Sequence, residues 1–355
     1  STTNDCTVTY EIQAGRNRAL SGYGWGTGTW DSANTWDTPN TSDSVTIALR
    51  SWALDNWGED IIALDIDAGI YVWDTSGGIS TASNLASAIS NAPTKSKFTL
   101  VSNPDRHLIC FGTETTIGTT STQDPMFIRW SDQDDYTSWT ATATNSAGSQ
   151  RVTGGSKIVT GVSTRGQILF LTDTSAHGMS FIGAPFTFGF QKLGTNCGAV
   201  SPHCAVDISG IIYWMSSDGF YMFDGTVRKM PCTVEDFVFD NIDATQLEQV
   251  YAASNSAFGE VIWLYCSTSS NQIDRYVIFN YQEKLWYTGS LDRSTWIDSG
   301  TYSLPYATKY DGSANTTVYV HESGTDDDGS TMTSYIESGD FDIGDGDQMM
   351  FVKRG

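Results

Sequence analysis

The stretch DGFYMFDGTV at residues 218–227 has a close variant, AGIYVWDTSG, at residues 68–77. In both, Gly is followed by an apolar residue, Tyr, a second apolar residue, an aromatic residue and Asp. A short apolar and aromatic run that ends at Asp and small residues predicts a strand closed by a tight turn. The chain therefore contains the same strand and turn twice, about 150 residues apart.

Other segments share this layout of an apolar strand, a turn and a strand rich in aromatic residues. The clearest is DIIALDIDAGIYVWD at 60–74, in which 61–64 and 70–73 are predicted to pair. Similar segments occupy 107–132, 167–173, 210–225, 260–289 and 306–324. Repeats of about 40 to 50 residues are typical of the four-stranded blades of a β-propeller. A large β-sandwich with similar hairpins is the alternative, but it does not require regular spacing.

The repeated strands carry aromatic or apolar side chains that we expect to anchor each blade. The predicted anchors are Tyr71, Trp73, Phe111, Trp130, Phe170, Tyr221, Phe223, Val277, Trp286 and Tyr319. The sequence thus predicts an all-β protein, with a β-propeller of about six blades over residues 45–324. Residues 1–44 are predicted to connect the propeller to a β-rich platform formed largely by the flanking segments, and residues 325–355 to return to it as a strand.

Helical periodicity is nearly absent from the chain. The two best candidates for helices are NLASAISNA at 84–92 and DATQLEQVYAASN at 243–255, each about two or three turns long. Charged residues make up only 17% of the chain, and 34 residues are Gly, a composition that suits strands joined by many turns.

The net charge of −22 argues against a broad nucleic-acid-binding surface, because phosphate binding needs Lys and Arg. Acidity instead favours solubility and discourages nonspecific contact with DNA. No apolar segment reaches the roughly 18 residues of a membrane helix, and no signal peptide opens the chain, so no membrane insertion is predicted.

The six cysteines form no C-x-x-C pair, which predicts buried free thiols of a reducing cytoplasm. They are Cys6, Cys110, Cys197, Cys204, Cys232 and Cys266. The only residues whose spacing suggests a zinc site are the neighbours His203 and Cys204, with Cys197 nearby. No second close pair of possible ligands accompanies them. The loop TDDDGS at 325–330 lacks the ligand spacing of a dedicated calcium site. No catalytic, cofactor-binding or metal-binding residue is predicted.

The segment WSDQDDYTSW at 130–139 is similar to the Asp-box hairpin of sialidase-type propellers. Alignment on Trp139 places Asp134 on the Asp of the box, which is a structural feature and not a catalytic one. Sialidase chemistry would also need several arginines around one carboxylate. The arginines here stand singly and are predicted to satisfy loop carbonyls or to pair with acids. They include Arg106, Arg129, Arg151, Arg165, Arg275 and Arg293.

Five blocks, in order, resemble the tail nozzle proteins of short-tailed bacteriophages, a family also called tail tubular protein B or packaged-DNA stabilisation protein. The blocks are LDNWGEDIIALDIDAGIYVWD, VSNPDRHLICFG, PMFIRWSDQDDYTSW, SDGFYMFDGTVRKMPC and EVIWLYCSTSSNQIDRYVIFNYQEKLWYTGSLDRSTWID. The resemblance covers about residues 20–355. Family members are longer at both ends, and this chain starts without Met, so both ends are expected to be cuts within a longer protein.

The resemblance implies a structural virion protein with no enzymatic activity and no cofactor. Six copies would form a ring below the portal and the tail adaptor protein. This homohexamer would extend the DNA channel, retain the genome and anchor tail fibres or spikes. Genomic DNA would pass through without specific binding. The protein would be made in the host cytoplasm and reside in the phage tail.

Two other functions remain open from the sequence. Trp25, Trp30 and Trp36 lie in a stretch rich in Gly, Thr and Trp at 22–37, which predicts either a loop that contacts a partner or a strand that packs on another domain. In a glycan-binding propeller these rings would stack on sugars. A propeller-fold glycoside hydrolase would need two carboxylates that converge in the central pocket.

Overall fold

The computed structural model describes residues 51–79, 84–103, 105–164, 166–310, 316–327 and 329–331. Several predictions therefore lie outside the described residues. They concern the connecting segment 1–44 with Trp25, Trp30 and Trp36, and most of the return strand 325–355. They also concern Cys6 and Arg165, one of the arginines predicted to bind loop carbonyls or acids.

The first half of the described chain forms three sheets of four strands each. Blade one comprises β1 (Trp52–Trp57), β2 (Asp60–Asp65), β3 (Ile70–Trp73) and β4 (Ser87–Ala88). Blade two comprises β5 (Phe98–Val101), β6 (Leu108–Phe111), β7 (Phe127–Trp130) and β8 (Gly148–Arg151). Blade three comprises β9 (Ile158–Ser163), β10 (Ile168–Thr172), β11 (Ser175–Gly183) and β12 (Thr187–Thr195).

Three further sheets follow. Blade four comprises β13 (Ala205–Ile208), β14 (Ile211–Ser216), β15 (Gly219–Phe223) and β16 (Val227–Lys229). Blade five comprises β17 (Tyr251–Asn255), β18 (Glu260–Tyr265), β19 (Arg275–Asn280) and β20 (Leu285–Ser290). Blade six comprises β21 (Thr295–Ile297), β22 (Tyr306–Tyr310) and β23 (Thr316–Val320), and a short hairpin of β24 (Asp326–Asp327) and β25 (Ser330–Thr331) comes after it.

Each blade is an antiparallel meander in which consecutive strands pair. The first strands of successive blades lie side by side, so the blades are arranged around a common axis. The predicted six-bladed β-propeller is confirmed. The two stretches that suggested it form β3 and β15 with their turns, the third strands of blades one and four.

Apolar side chains fill the spaces between successive blades. Phe111 of blade two lies 5.7 Å from Phe170 of blade three, measured between ring centroids. Phe220 of blade four lies 4.8 Å from both Trp263 and Trp286 of blade five. These rings are buried, and such aromatic contacts add to the stability gained from burying apolar area. The core of the propeller is therefore a series of layers between blades.

The space between the last and first blades differs from the others. None of the four apolar clusters formed by the described residues joins blade six to blade one. Trp52 and Leu54 of blade one are 50% and 66% exposed, and Val318 and Val320 of blade six are 60% and 47% exposed. Over the described residues, these two blades thus present apolar faces to solvent.

Most predicted anchors occupy strands and are buried, but Tyr71 is not. The buried ones are Phe111, Trp130, Phe170, Tyr221, Phe223, Val277 and Trp286, while Trp73 and Tyr319 are half-buried. Tyr71 is 37% exposed because successive side chains of a strand point to opposite faces, and its neighbours Ile70 and Val72 take the buried face. The anchors occupy different strands of their blades, so their spacing is only approximately regular. Phe111 and Phe170 lie on second strands and Trp286 on a fourth strand, and the others lie on third strands.

Both predicted helices are wrong. Residues 84–92 contain the short strand β4, and residues 243–255 contain one turn of 3-10 helix, Leu247–Gln249, followed by β17. The pairing of β17 with β18 overrides the local helical preference. The α-helix that forms, α1 (Glu235–Asn241), lies just before the second of these segments, and two more 3-10 turns occupy Thr75–Gly77 and Thr120–Thr122. None of the helices in the described ranges is long and apolar enough to cross a membrane.

The five cysteines in the described part of the chain are free thiols. Burial raises the pKa of Cys110 to about 12 and that of Cys204 to about 11, so neither is a reactive thiolate at neutral pH. Cys197 and Cys204 lie in the apolar cluster of blades three to five. Among the described residues, no group of three His, Cys, Asp or Glu side chains could hold a metal ion.

Candidate functional site

The axis of the propeller opens into a small cavity of about 60 Å³ at the end where the first strands begin. Residues from several blades line it, among them Ser51, Lys97, Lys157, Val200 and Glu248. Among the described residues of the lining Glu248 is the one acid, and it pairs with Lys157 at 3.5 Å. The part of the lining that the structure describes therefore does not supply the two convergent carboxylates that a glycoside hydrolase would need in this pocket.

A chain of hydrogen bonds in blade two connects four polar side chains. Nδ1 of His107 lies 3.0 Å from the Asp105 carboxylate, and Nε2 of the same ring lies 3.0 Å from the Ser146 hydroxyl. The Ser146 hydroxyl is also 2.6 Å from Oδ1 of Asp132. His107 is fully buried and Asp105 nearly so. The order acid, imidazole, hydroxyl is the connectivity of a serine hydrolase triad.

The Ser146 hydroxyl does not donate its proton to His107, as a nucleophilic serine would donate to its base. Ser146 donates its hydroxyl proton to Asp132, since an ionised carboxylate can only accept. The hydroxyl oxygen in turn lies 2.9 Å from the Gln133 backbone N–H, which donates to it, and next to His107 Nε2. A triad serine instead gives its proton to the imidazole. Burial alone would raise the pKa of Asp132, but hydrogen bonds from Ser146 and Gln133 outweigh it and hold the pKa below its ordinary value.

The backbone of Ser146 is also fully occupied. Its N–H donates to Asp132, and its carbonyl accepts from the Trp130 indole N–H and the Thr187 hydroxyl, both at 2.9 Å. Thr187 belongs to blade three, so Ser146 holds the loop before β8 to the neighbouring blade. We interpret the network as a structural lock between blades two and three, because every polar atom of the serine has a partner.

Sequence reasoning missed this network. Asp105, His107 and Ser146 come from two loops about 40 residues apart, and no motif joins them. The one available signal was a polar pair, Asp105 and His107, directly before the buried strand β6.

The Asp-box alignment placed the wrong acid in the structural role. Asp134 projects to the surface, where it pairs with Arg106 at 3.3 Å. Asp132 is the acid that binds the loop together, and its N–H donates to the carbonyl of Ser138 across the hairpin. Trp139 is buried, as the box requires, and donates its indole N–H to Tyr136. The segment is a locked hairpin in which the acid stands two residues earlier than the alignment placed it.

Blade three carries a long hairpin whose end is apolar and exposed. Its strands β11 and β12 are nine residues each. At the base of this end, the ring of Phe188 packs 5.1 Å from His107 of blade two. At the tip, Phe181, Ile182 and Phe186 are 44%, 57% and 73% exposed. We call these three residues the hairpin tip. Exposed clusters of large apolar side chains mark interaction surfaces.

The arginines of the described chain behave as single residues, as predicted. Arg106, Arg151 and Arg275 pair with Asp134, Asp124 and Asp274, and Arg129 donates to the carbonyl of Thr115. Arg293 donates to the carbonyl of Asp292, but it is the most buried of them, with 7% of its surface exposed. No arginine cluster of the sialidase kind exists among the described residues.

Comparison with known proteins adds little to this description. No family model matches the sequence, and a search of curated proteins found no match. Similar solved structures include the CNH domain of AfRom2, with 9% identity, a TM-score of 0.39 and coverage of 77% of this chain and 94% of that one. The computationally designed Ika8 protein has 9% identity and a TM-score of 0.44 over 78% of this chain and 72% of its own.

The extracellular domain of BT4673 from B. thetaiotaomicron has 10% identity and a TM-score of 0.44 over 78% of this chain and 32% of its own. At such scores the likenesses carry no argument about function. The propeller assignment rests on the strand order of the chain itself.

Proposed function

We propose that the protein is a non-catalytic structural component of a phage tail, a subunit of the nozzle ring below the portal and adaptor. The sequence resemblance supplies the specific role: a homohexamer that extends the DNA channel, retains the genome and anchors tail fibres or spikes. The hairpin tip is the observation that carries the proposal. Three large apolar side chains at the end of a two-stranded arm are suited to a contact with another protein chain.

The occupant that we propose for the hairpin tip is the next copy of this chain in the ring. A head-to-tail ring contact joins two different surfaces of neighbouring subunits, so a projecting arm on one copy can insert into a recess of the next. Two features support a structural role over a catalytic one. Ser146 donates its hydroxyl proton to Asp132 and not to His107, and the described lining of the axial cavity contains one acid, Glu248.

The overall charge suits this role as well. The chain carries 41 acidic against 19 basic residues, and a predominantly acidic ring would let DNA slide through without adhering.

The test is a measurement of mass and symmetry on the purified full-length protein. Native mass spectrometry and negative-stain class averages should show six-fold rings, alone or after addition of portal and adaptor proteins. A protein that stays monomeric with both tail components present would contradict the proposal. A strongly basic lumen in such a ring would contradict the role assigned to the acidic charge.

A further inference from the structure

A second cavity, of about 150 Å³, lies between blades five and six. It is open to solvent. Arg293, Ser294 and Lys309 line it from blade six and the segment that leads into it, and Gln272 and Asp274 line it from blade five. None of these residues belongs to the axial cavity, the Ser146 network or the hairpin tip.

Arg293 is a buried cation that has no acidic partner in the part of the chain that the structure describes. Its guanidinium is stacked over the ring of Tyr319, with Cζ 4.0 Å from the ring centroid. Nε donates to Nε2 of His321 at 3.0 Å, and Nη1 donates to the carbonyl of Asp292 at 2.8 Å. No carboxylate of the described residues lies within ion-pair distance of it, and three of its five N–H donors have no acceptor among those residues.

A buried charge without a counter-charge is unfavourable, so such groups usually pair or bind a ligand. The stacking on Tyr319 and the bond to His321 fix the plane of the guanidinium. A planar guanidinium held in this way is preorganised for the two parallel hydrogen bonds of a carboxylate. The free donors lie on Nη1 and Nη2, the edge on which such a pair can form.

The rest of the lining suits a ligand that also carries hydroxyl groups. Lys309 adds a second positive charge and pairs with Asp292 at 3.0 Å. Asp274 and Asp292 present carboxylate oxygens that can accept from ligand hydroxyls, and the Gln272 amide can both donate and accept. The ring of Tyr310, 41% exposed, offers an apolar wall of the kind on which sugar rings pack.

We propose that the cavity between blades five and six binds a sugar acid, a monosaccharide unit that carries a carboxylate. Arg293 holds the carboxylate by its Nη1 and Nη2 edge, and Lys309 adds to the attraction. Asp274, Asp292 and Gln272 bind the hydroxyls, so that a simple carboxylate lacks half of the contacts. The site is independent of the nozzle role and would stand if that role were disproved.

The experiment is isothermal titration calorimetry of the 355-residue protein with sodium glucuronate, glucose and sodium acetate at physiological ionic strength. Glucuronate should bind saturably with a dissociation constant in the millimolar range or below, as expected for a ligand of about a dozen heavy atoms. Glucose and acetate should each bind at least about tenfold more weakly, because each lacks one of the two sets of contacts.

Two substitutions locate the binding. R293K keeps the charge but loses the planar fork, and it should weaken glucuronate binding by about tenfold. Because Arg293 is buried, K309Q serves as a second variant, with a side chain that is 35% exposed, and it should weaken binding by about threefold. R151Q is the matched control, since Arg151 pairs with Asp124 on blade two, far along the chain from this cavity.

Each comparison of ligands and of variants either supports or overturns the proposed site. Glucuronate binding that both variants weaken and R151Q leaves unchanged supports the proposal. Equal binding of acetate and glucuronate would overturn the assignment to a sugar, and equal binding of glucose would overturn the role of the carboxylate. No saturable heat with glucuronate up to about 50 mM, or unchanged affinity in folded R293K and K309Q, would overturn the site itself.

Discussion

The hydroxyl of Ser51 lies 2.6 Å from Nε2 of His203, although the two residues are 152 positions apart in the chain. Ser51 directly precedes the first strand of blade one, and His203 precedes the first strand of blade four, so the bond joins opposite blades across the axis. The axis of a single propeller is therefore narrow at this end. If the protein forms a nozzle, the DNA channel must lie on the axis of the ring of subunits and not within one propeller.

The pair also predicts how stability responds to pH. Burial lowers the pKa of His203, and burial together with Lys192 lowers the pKa of His177. The unfolded chain then binds more protons than the folded one, so the free energy of unfolding should rise with pH and fall as the pH drops below about 6.5. Urea unfolding between about pH 5 and 8 measures this slope.

H203Q should reduce the slope without abolishing it, since His177 contributes in the same direction. S51A should lower the free energy of unfolding by about 1 kcal/mol at neutral pH, the usual effect of losing one hydrogen bond. An unchanged slope in H203Q would show that His203 does not titrate in this range.

The layers between blades predict where the stability resides. Phe220 is fully buried between Trp263 and Trp286, so F220A should lower the free energy of unfolding by about 3–5 kcal/mol. F186A, at a position that is 73% exposed, should change it by less than about 0.5 kcal/mol. Equal effects of the two substitutions would contradict the packing described for blades four and five.

One glycine should tolerate no side chain. A Cβ on Gly198, in the segment between blades three and four, would lie 2.1 Å from the backbone carbonyl oxygen of Asp173. Backbone atoms cannot move aside as a flexible side chain can, so G198A should destabilise the protein by more than about 2 kcal/mol. G300A is the control, because a Cβ there meets no atom within 4 Å. A G198A protein with wild-type thermal stability would refute this close approach.

The Ser146 network predicts a chemically inert serine. A fluorophosphonate probe should not label Ser146, because its hydroxyl proton is given to Asp132 and not to His107. S146A should instead lower the free energy of unfolding by about 1–3 kcal/mol, since it removes the hydroxyl that bonds to Asp132 Oδ1 and to Nε2 of the buried His107. Mass spectrometry of the probe-treated protein and urea unfolding of S146A give the two results. Labelling at Ser146 would contradict this prediction and would indicate that Ser146 is a nucleophile.

The hairpin tip predicts a variant that separates assembly from folding. F186D places a charge at a position that is 73% exposed, so the thermal stability of the monomer should stay within a few degrees of wild type. Ring formation should be lost or strongly weakened, because a charge in an apolar contact is unfavourable. L285D, at a 50% exposed position on the last strand of blade five, is the matched control and should still assemble. If F186D forms rings as readily as wild type, the tip is not the contact.

The fold was largely predictable because it repeats. Alternation of apolar residues and turn residues identified β2 and β3 with nearly their observed bounds, and it placed β14 and β15 within the segment 210–225. The predictions that depended on only a few residues were more often wrong. The face to which Tyr71 points depends on the register of β3 against its neighbours. The helices predicted at 84–92 and 243–255 do not form, because strands in these segments pair with other strands of their blades.

The sites were largely not predictable, because they depend on contacts between separate loops. Arg293 was recognised only as a single arginine beside a strand, and nothing in its neighbours indicates burial against Tyr319. The direction of the Ser146 hydroxyl depends on Asp132, 14 residues away along the chain. Such contacts arise from how blades and loops pack, which periodicity alone does not specify.

The layered core between successive blades has a consequence for the way the chain folds. Each layer joins blades that are adjacent in sequence, so an early blade can pack as soon as the next one leaves the ribosome, much as repeat proteins grow by nearest-neighbour addition. The Ser51–His203 bond needs more than 150 residues of synthesis before it can form. We expect half-synthesised chains to be ordered stacks of blades, and the bond across the axis to appear only after blade four is made.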